Sequence, residues 1–244
     1  MSTFVFIGPS IPRDEAARLL NATFLPPVAQ GDVIRLCRRE TPAAIGIVDG
    51  YFECVPAVWH KEILFALERG VAVYGAASMG ALRAAELHPF GMIGVGAIFE
   101  AFRDGRLEDD DEVAVTHGPA ELGYPILSEA MVNIRRTLAD AAAAAVLPPG
   151  TARALEDIAK DLPYPRRSYG HLLRLAGDLH LDAAELARFR AWLPAGRFDQ
   201  KRDDARAMLR MMRHANQPAQ RPPARFHFER TVLWERAVVE ALAA

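Results

Sequence analysis

The sequence predicts an α/β fold, a mostly parallel sheet in a three-layer-like core, followed by a helical region. Three observations predict it. Short apolar runs at residues 4–7, 44–48 and 71–74 alternate with stretches of helical spacing. Each run closes on small or turn-forming residues, Gly8-Pro9-Ser10, Asp49-Gly50 and Gly75-Ala76-Ala77. From about Ser128 onward no strand signal of weight remains.

Taken in order, residues 4–7 (FVFI) read as the first strand, and residues 13–20 as a helix with Asp14 and Glu15 in its first turn. Residues 21–31, with Pro26-Pro27 and Gly31, read as an ordered loop, and residues 31–35 as a short strand or turn. AIGIV at 44–48 is the second strand. The helix after it is expected to start near Pro56 and run to Arg69, burying Val58, Ile63, Leu64 and Leu67. Residues 71–74 form the third strand and residues 79–87 the helix after it. His88-Pro89-Phe90-Gly91 breaks the chain, and 93–103 is glycine-rich, then helical. RLEDDDE at 106–112 reads as a solvated acidic turn rather than a metal site, and 113–115 (VAV) as a strand. A long alanine-rich helix is expected over 129–146, then helices over 151–159, 169–179, 183–192, 199–215 and 230–242, with a linker-like loop at 217–224. The division this implies is an α/β core over 1–127 and a helical region over 128–244 packed on it. The arginines of 202–213 are expected on a solvated face.

Strands joined by helical crossovers pair in parallel and carry their C-terminal ends on one edge, where ligands of open α/β sheets bind. That edge gathers Ser10, Asp49 and Ser78. A serine at a strand-to-helix junction has two readings, an N-cap or an exposed nucleophile beside the free N–H groups of the first helical turn. In the second reading Ser78 attacks an acyl carbon, and the N–H groups of Met79 and Gly80 hold the oxyanion. Lys61, expected in the first turn of its helix beside a mouth of Phe52, Trp59 and Met79, is the general base. Its other reading is a surface lysine with its stem laid on apolar neighbours. His60 and His117 are further proton-transfer candidates, Ser10 is a second hydroxyl, and Asp49 holds its turn or orients Lys61. Arg83 and Glu86 form an i,i+3 ion pair. Lysine is scarce: Lys61, Lys160 and Lys201 are the only ones among 29 basic residues, which singles out each of them because arginine cannot give up its proton.

Composition bounds the function. A net charge of −2 without a one-sign run leaves no electrostatic footprint for nucleic acid or an anionic membrane. Cys37 and Cys54 follow no metal-ligand spacing, so no metal is expected. MSTFVFIGPS lacks a basic region ahead of a long apolar stretch, and the expected location is the cytoplasm. Neither G-x-G-x-x-G nor a P-loop occurs, which speaks against a nucleotide sheet, and no cofactor is expected.

The stretch IVDGYFECVPAVWHKEILFALERGVAVYGAASMGALRAAELHPFGMIGVG, residues 47–96, resembles the TfuA-like core. Its D-G-x-F turn, H-K-E-I helix start and G-A-x-S-M-G-A-L-R-A-x-E block follow in that order. GPS at 8–10 and DDDEVAVTH at 109–117 are similar to the flanking segments, and KRDDARAML at 201–209 loosely so. The resemblance implies a partner of YcaO-type enzymes, which exchange sulfur for oxygen in a peptide backbone amide. It further implies release of sulfide from a thiocarboxylated ThiS-like carrier protein by a serine and lysine pair, carried over here as Ser78 with Lys61, or with Ser10 as the serine. The competing expectation is a non-catalytic adaptor that docks the YcaO enzyme and its peptide substrate.

Overall fold

The computed structural model describes residues 2–53, 55–215 and 226–243; the expected loop at 217–224 and Cys54 lie outside them. The chain divides into two compact units, residues 1–108 with 201–244, and residues 109–200. The expected division at 127/128 differs from this in both directions. Residues 109–127 go with the helical unit, and the last two helices return to the α/β unit.

In the α/β unit five strands, β1 (Ser2–Phe6), β2 (Thr23–Leu25), β3 (Pro42–Ile47), β4 (Ala72–Ala76) and β5 (Ile93–Val95), form one sheet in the order β2-β1-β3-β4-β5. Every pairing is parallel. The first crossover moves one way along the sheet and the rest move the other, so right-handed connections place helices on both faces and leave a switch point between β1 and β3. One face carries α1 (Arg13–Leu19) and α10 (Gln200–His214), whose Ala16, Ala205, Met208, Leu209 and Met212 bury Val5, Ile7, Tyr74, Ala76 and Val95. Arg202 and Arg206, expected on a solvated face, instead both bond Glu15 on α1, and those hydrogen bonds hold its carboxyl below the usual range. The other face carries α2 (Asp32–Arg39), α3 (His60–Glu68), α4 (Met79–Leu87) and α11 (Val232–Ala243). There α2 lies beside α3 and α11, and Trp234 packs its ring 5.2 Å from Phe65. A seven-residue α5 (Ala97–Arg103) follows β5.

Sequence spacing misplaced several elements for identifiable reasons. Residues 31–35 start a helix, not a strand, because Gly31 takes the positive φ of 88° from which α2 begins. The three-residue β2 and β5 fall below the length at which alternation can be read; at β5, Gly94 leaves the room that the Phe99 ring fills. Helix α3 starts at His60, four residues after Pro56. Residues 113–115 are no strand: Val113 and Ala114 are buried behind the short 3-10 turn Asp110–Glu112.

The helical unit packs α6 (Met131–Ala143), α7 (Pro149–Asp161), α8 (Tyr169–Asp178) and α9 (Ala183–Gly196) around Ile134, Leu138, Leu155, Leu172 and Phe189. Helix α6 stops short of the expected Val146, where Ala145 turns at φ 55°. Ser168 caps α8 by accepting from the His171 N–H, and Asp182 caps α9 likewise from Glu185. The acidic turn is solvated at Arg106, Glu108, Asp109 and Asp110, as expected, but its end turns inward at the buried Glu112. Lys160 Nζ lies 2.9 Å from Asp109, 2.5 Å from Asp111 and 3.0 Å from Glu112. Arg167, fully buried, reaches Asp111, and Arg135 reaches Glu112. A cation pulls such carboxylates together as a metal ion would, and here the cation is an ammonium.

Candidate functional site at the sheet edge

The switch point between β1 and β3 is occupied by a carboxylate and a hydroxyl. Asp49 Oδ2 accepts the backbone N–H of Gly8 at 2.8 Å and of Ser10 at 3.1 Å, and the Ser10 hydroxyl donates to Oδ1 at 2.6 Å. Both residues are buried, Asp49 at 2% and Ser10 at 3% exposure. Asp49 therefore holds the turn after β1 across the switch point, rather than orienting Lys61. A buried carboxylate bonded to a serine hydroxyl is a proton acceptor in place.

At the end of β4 the chain makes a tight, strained turn. Ala77 has φ 67°, and the N–H of Ser78 returns to the carbonyl of Ala76 at 2.8 Å, a three-residue γ-turn with positive φ at its centre. Such a conformation is costly for a residue with a Cβ, and strain of this kind gathers at functional sites. Ser78 follows at the N-cap position of α4, although its side chain makes no cap bond. At 2% exposure it is buried, not the exposed hydroxyl expected at this junction. Two glycines bring α4 down onto the sheet: a Cβ on Gly80 would stand 1.8 Å from the Ile47 carbonyl oxygen, and one on Gly75 would stand 2.1 Å from the Gly80 oxygen. The same approach uses up one expected oxyanion donor, since the Gly80 N–H goes to the Val48 carbonyl at 3.3 Å. Met79 N–H, at the first helical position, has no acceptor within the helix and remains as donor. The Gly80–Val48 bond also ties Ser78 to Asp49, each within two residues of it.

Lys61 is not brought to Ser78. Its Nζ donates to Thr231 Oγ1 at 3.3 Å and sits over the Phe228 ring, 5.5 Å from the centroid. The start of α3 docks well along α4, where His60 Nε2 meets Glu86 at 2.7 Å. At 1.5 Å per residue Glu86 lies about 12 Å up the helix from Ser78. Arg83 joins that cluster, donating to Glu86 at 2.9 Å and to the Val58 carbonyl at 3.1 Å, so Arg83 and His60 build a surface ion-pair group that holds the segment before α3. Burial works against the Glu86 charge, but His60 and Arg83 hold its carboxyl below the ordinary value. The apolar mouth expected around Lys61 is not formed as drawn either: Trp59 is partly exposed, while Met79 packs on Gly50. His117 belongs to the helical unit, where its Nδ1 meets the Gly118 carbonyl at 2.8 Å and its ring packs edge-on to Tyr124.

One buried acid escaped sequence reasoning. Glu62, with no exposed surface, accepts the Gly31 N–H on both carboxyl oxygens and the Trp59 N–H at 3.2 Å, clasping the start of α2 to the start of α3. Burial pushes its carboxyl up to about 7, against the pull of those N–H groups. Its place three residues after Trp59 is the capping-box position, the signal that could have found it.

The TfuA-like protein family model matches residues 49–168. Over that stretch, about half of its length, the chain is TfuA-like. The TfuA-like segment takes in Asp49, Lys61, Ser78 and His117, and reaches from the α/β unit through α7 of the helical unit. Ser10 and α10 lie outside it. No curated protein matches the chain. Among the described residues no helix is long and apolar enough to cross a membrane.

Proposed function

We propose that this TfuA-like protein is a sulfur-delivery hydrolase for peptide backbone thioamidation. It acts on a thiocarboxylated ThiS-like carrier protein and releases sulfide to a YcaO-type enzyme, which uses it on a bound peptide. The observation that carries this reading is the sheet edge, where the strands end at a serine after a strained turn, Ser78, and at a serine hydrogen-bonded to a buried carboxylate, Ser10 with Asp49. A thiocarboxylate is an acyl compound, and its hydrolysis needs a nucleophile, a proton acceptor and a donor for the oxyanion. Ser78 Oγ supplies the first, Asp49 acting through the Ser10 hydroxyl the second, and the Met79 N–H the third. Nothing in this chemistry calls for the Lys61 amine.

The test is sulfide release from the thiocarboxylated carrier, measured beside capture of the YcaO enzyme. Ser78→Ala should release sulfide about 1,000-fold more slowly while still binding its partners. Asp49→Asn should also fall steeply, and Lys61→Met should stay within about threefold of the parent, as for a surface side chain. Undiminished release by Ser78→Ala and Ser10→Ala alike would leave only the adaptor reading. The exposed Leu122 and Leu127 in the loop before α6 are the surface that reading would use.

A further inference from the structure

Asp49 must face the Ser10 hydroxyl squarely for a proton to pass between them, and the backbone that carries it lies at the switch point, outside the regular strands. Something has to hold that backbone still.

The loop after β2 makes the first contact. Strand β1 stands between β2 and β3, so residues 26–31 cross the end of β1 to reach the end of β3. There Val28 pairs in parallel with Gly50, donating its N–H to the Asp49 carbonyl at 2.9 Å and accepting the Tyr51 N–H at 3.2 Å. The same loop packs on the turn that the Asp49 carboxylate holds, since a Cβ on Gly8 would stand 2.5 Å from Pro27. Both sides of the Ser10–Asp49 pair therefore rest on it.

The far end of the loop is tied to a buried acid. Ala29 donates to Asp32 at 2.7 Å and Gln30 to the Pro56 carbonyl at 2.9 Å, and the Gly31 N–H goes to Glu62, 2.8 Å from one carboxyl oxygen and 2.9 Å from the other. The first of those oxygens also takes the Trp59 N–H, which sets Glu62 from the start of its own helix. Among the described residues no cation pairs with Glu62, and the nearby Asp32 carboxylate works against its charge. A buried acid in that setting is costly, and an apolar side chain would fill the space while leaving the Gly31 and Trp59 N–H groups without their acceptor. From acid to acid the path is Glu62, Gly31, the loop back to Val28, and Asp49. Each link is a hydrogen bond or the chain itself.

We infer that Glu62 is a positioning residue for the edge site: by holding Gly31 it fixes the loop of residues 28–31, and that loop fixes the backbone from which Asp49 reaches Ser10. Glu62 touches no reacting atom. The expected loss of sulfide release rests on the hydrolase reading above; the hold on Asp49 does not.

The experiment uses the full-length protein and two measurements, amide hydrogen exchange and steady-state sulfide release from the thiocarboxylated carrier. In Glu62→Ala the Gly8 and Ser10 amides, which bond Asp49, should exchange about 10-fold faster. The Ala97 and Ile98 amides, held by Asp204 at another strand end, should keep the parent rate. The kcat for release should fall about 30-fold at unchanged KM, because a displaced base slows the chemistry and leaves carrier binding alone. Glu62→Gln, which keeps one oxygen for Gly31 and Trp59, should bring both readings back to within about threefold of the parent. A folded Glu62→Ala with parent exchange at Gly8 and Ser10 overturns the inference. Faster exchange at all four amides does so too, since that is general loosening, as does an unchanged kcat beside faster exchange at Gly8 and Ser10. If the wild type releases no sulfide while the exchange pattern holds, the hydrolase reading fails and the positioning role stands. Should Glu62→Ala not fold, Glu62→Asp, which draws the carboxylate back by one methylene, is read on the same two pairs of amides.

Discussion

Two groups of carboxylates in this protein have their charge answered in opposite ways. In the helical unit Asp109, Asp111 and Glu112 are answered by cations: Lys160 among all three, Arg167 behind Asp111 and Arg135 against Glu112. Burial works against the Lys160 charge, yet the three carboxylates raise its proton affinity. At the sheet edge Asp49 is answered by two N–H groups and a hydroxyl. A carboxylate locked among guanidinium and ammonium groups is a fastening, because protonating it would leave buried cations unpaired. One held by N–H groups and a hydroxyl has no cation against it, so its charge is met by dipoles alone. The contrast separates an acid neutralised by cations from one held by dipoles, although both look alike as acidic residues in a sequence.

The comparison breaks most sharply at Arg167. Replacing it with Met strips Asp111 and the Ala159 carbonyl of their buried donor, and chemical denaturation should show a loss of about 3–5 kcal/mol. A loss under about 1 kcal/mol would mean that the network is surface decoration. Next in size is Gly80→Ala, where the new methyl has no room beneath the Ile47 carbonyl. A loss of about 3 kcal/mol is expected, together with reduced sulfide release as α4 lifts from the edge. Stability falling without any change in release would detach the glycine packing from the site.

The smallest effect sharpens the comparison with a third buried acid. Glu62 has neither cations nor a hydroxyl, only N–H donors, and its folded-state proton affinity is raised to about 7. Between its ordinary value, near 4.5, and 7 the folded chain binds more protons than the unfolded one. Stability should therefore fall as pH rises through that window, by up to about 1.4 kcal/mol per pH unit. Glu62→Gln keeps an acceptor for Gly31 and removes the titration, so melting curves of that variant between pH 5 and 8 should be flatter than those of the parent. Parallel curves would assign the pH dependence elsewhere.

Much of the fold was legible because it is written locally. Apolar runs closed by Gly8-Pro9, Asp49-Gly50 and Gly75 announced three strands, and parallel pairing put Ser10, Asp49 and Ser78 on one edge before any coordinates. The three-residue strands were not legible, since Thr23–Leu25 and Ile93–Val95 become strands only by pairing with β1 and β4. Lys61 was misjudged for a related reason. Its place in the first turn of a helix is local, but where that helix docks on α4 depends on His60, Glu86 and the return of residues 228–231.

By itself the sequence determined the strand–helix alternation, the glycines that let α4 settle on the sheet, and the short list of hydroxyls, acids and amines from which a site could be drawn. These are properties of neighbours in the chain, set by backbone sterics and side-chain periodicity. Only the tertiary structure decided which acid meets a hydroxyl and which meets a lysine, and that α10 comes back from beyond the helical unit to cover one face of the sheet. Those pairings join residues 39 to more than 100 positions apart, and no local pattern encodes a partner that only packing supplies.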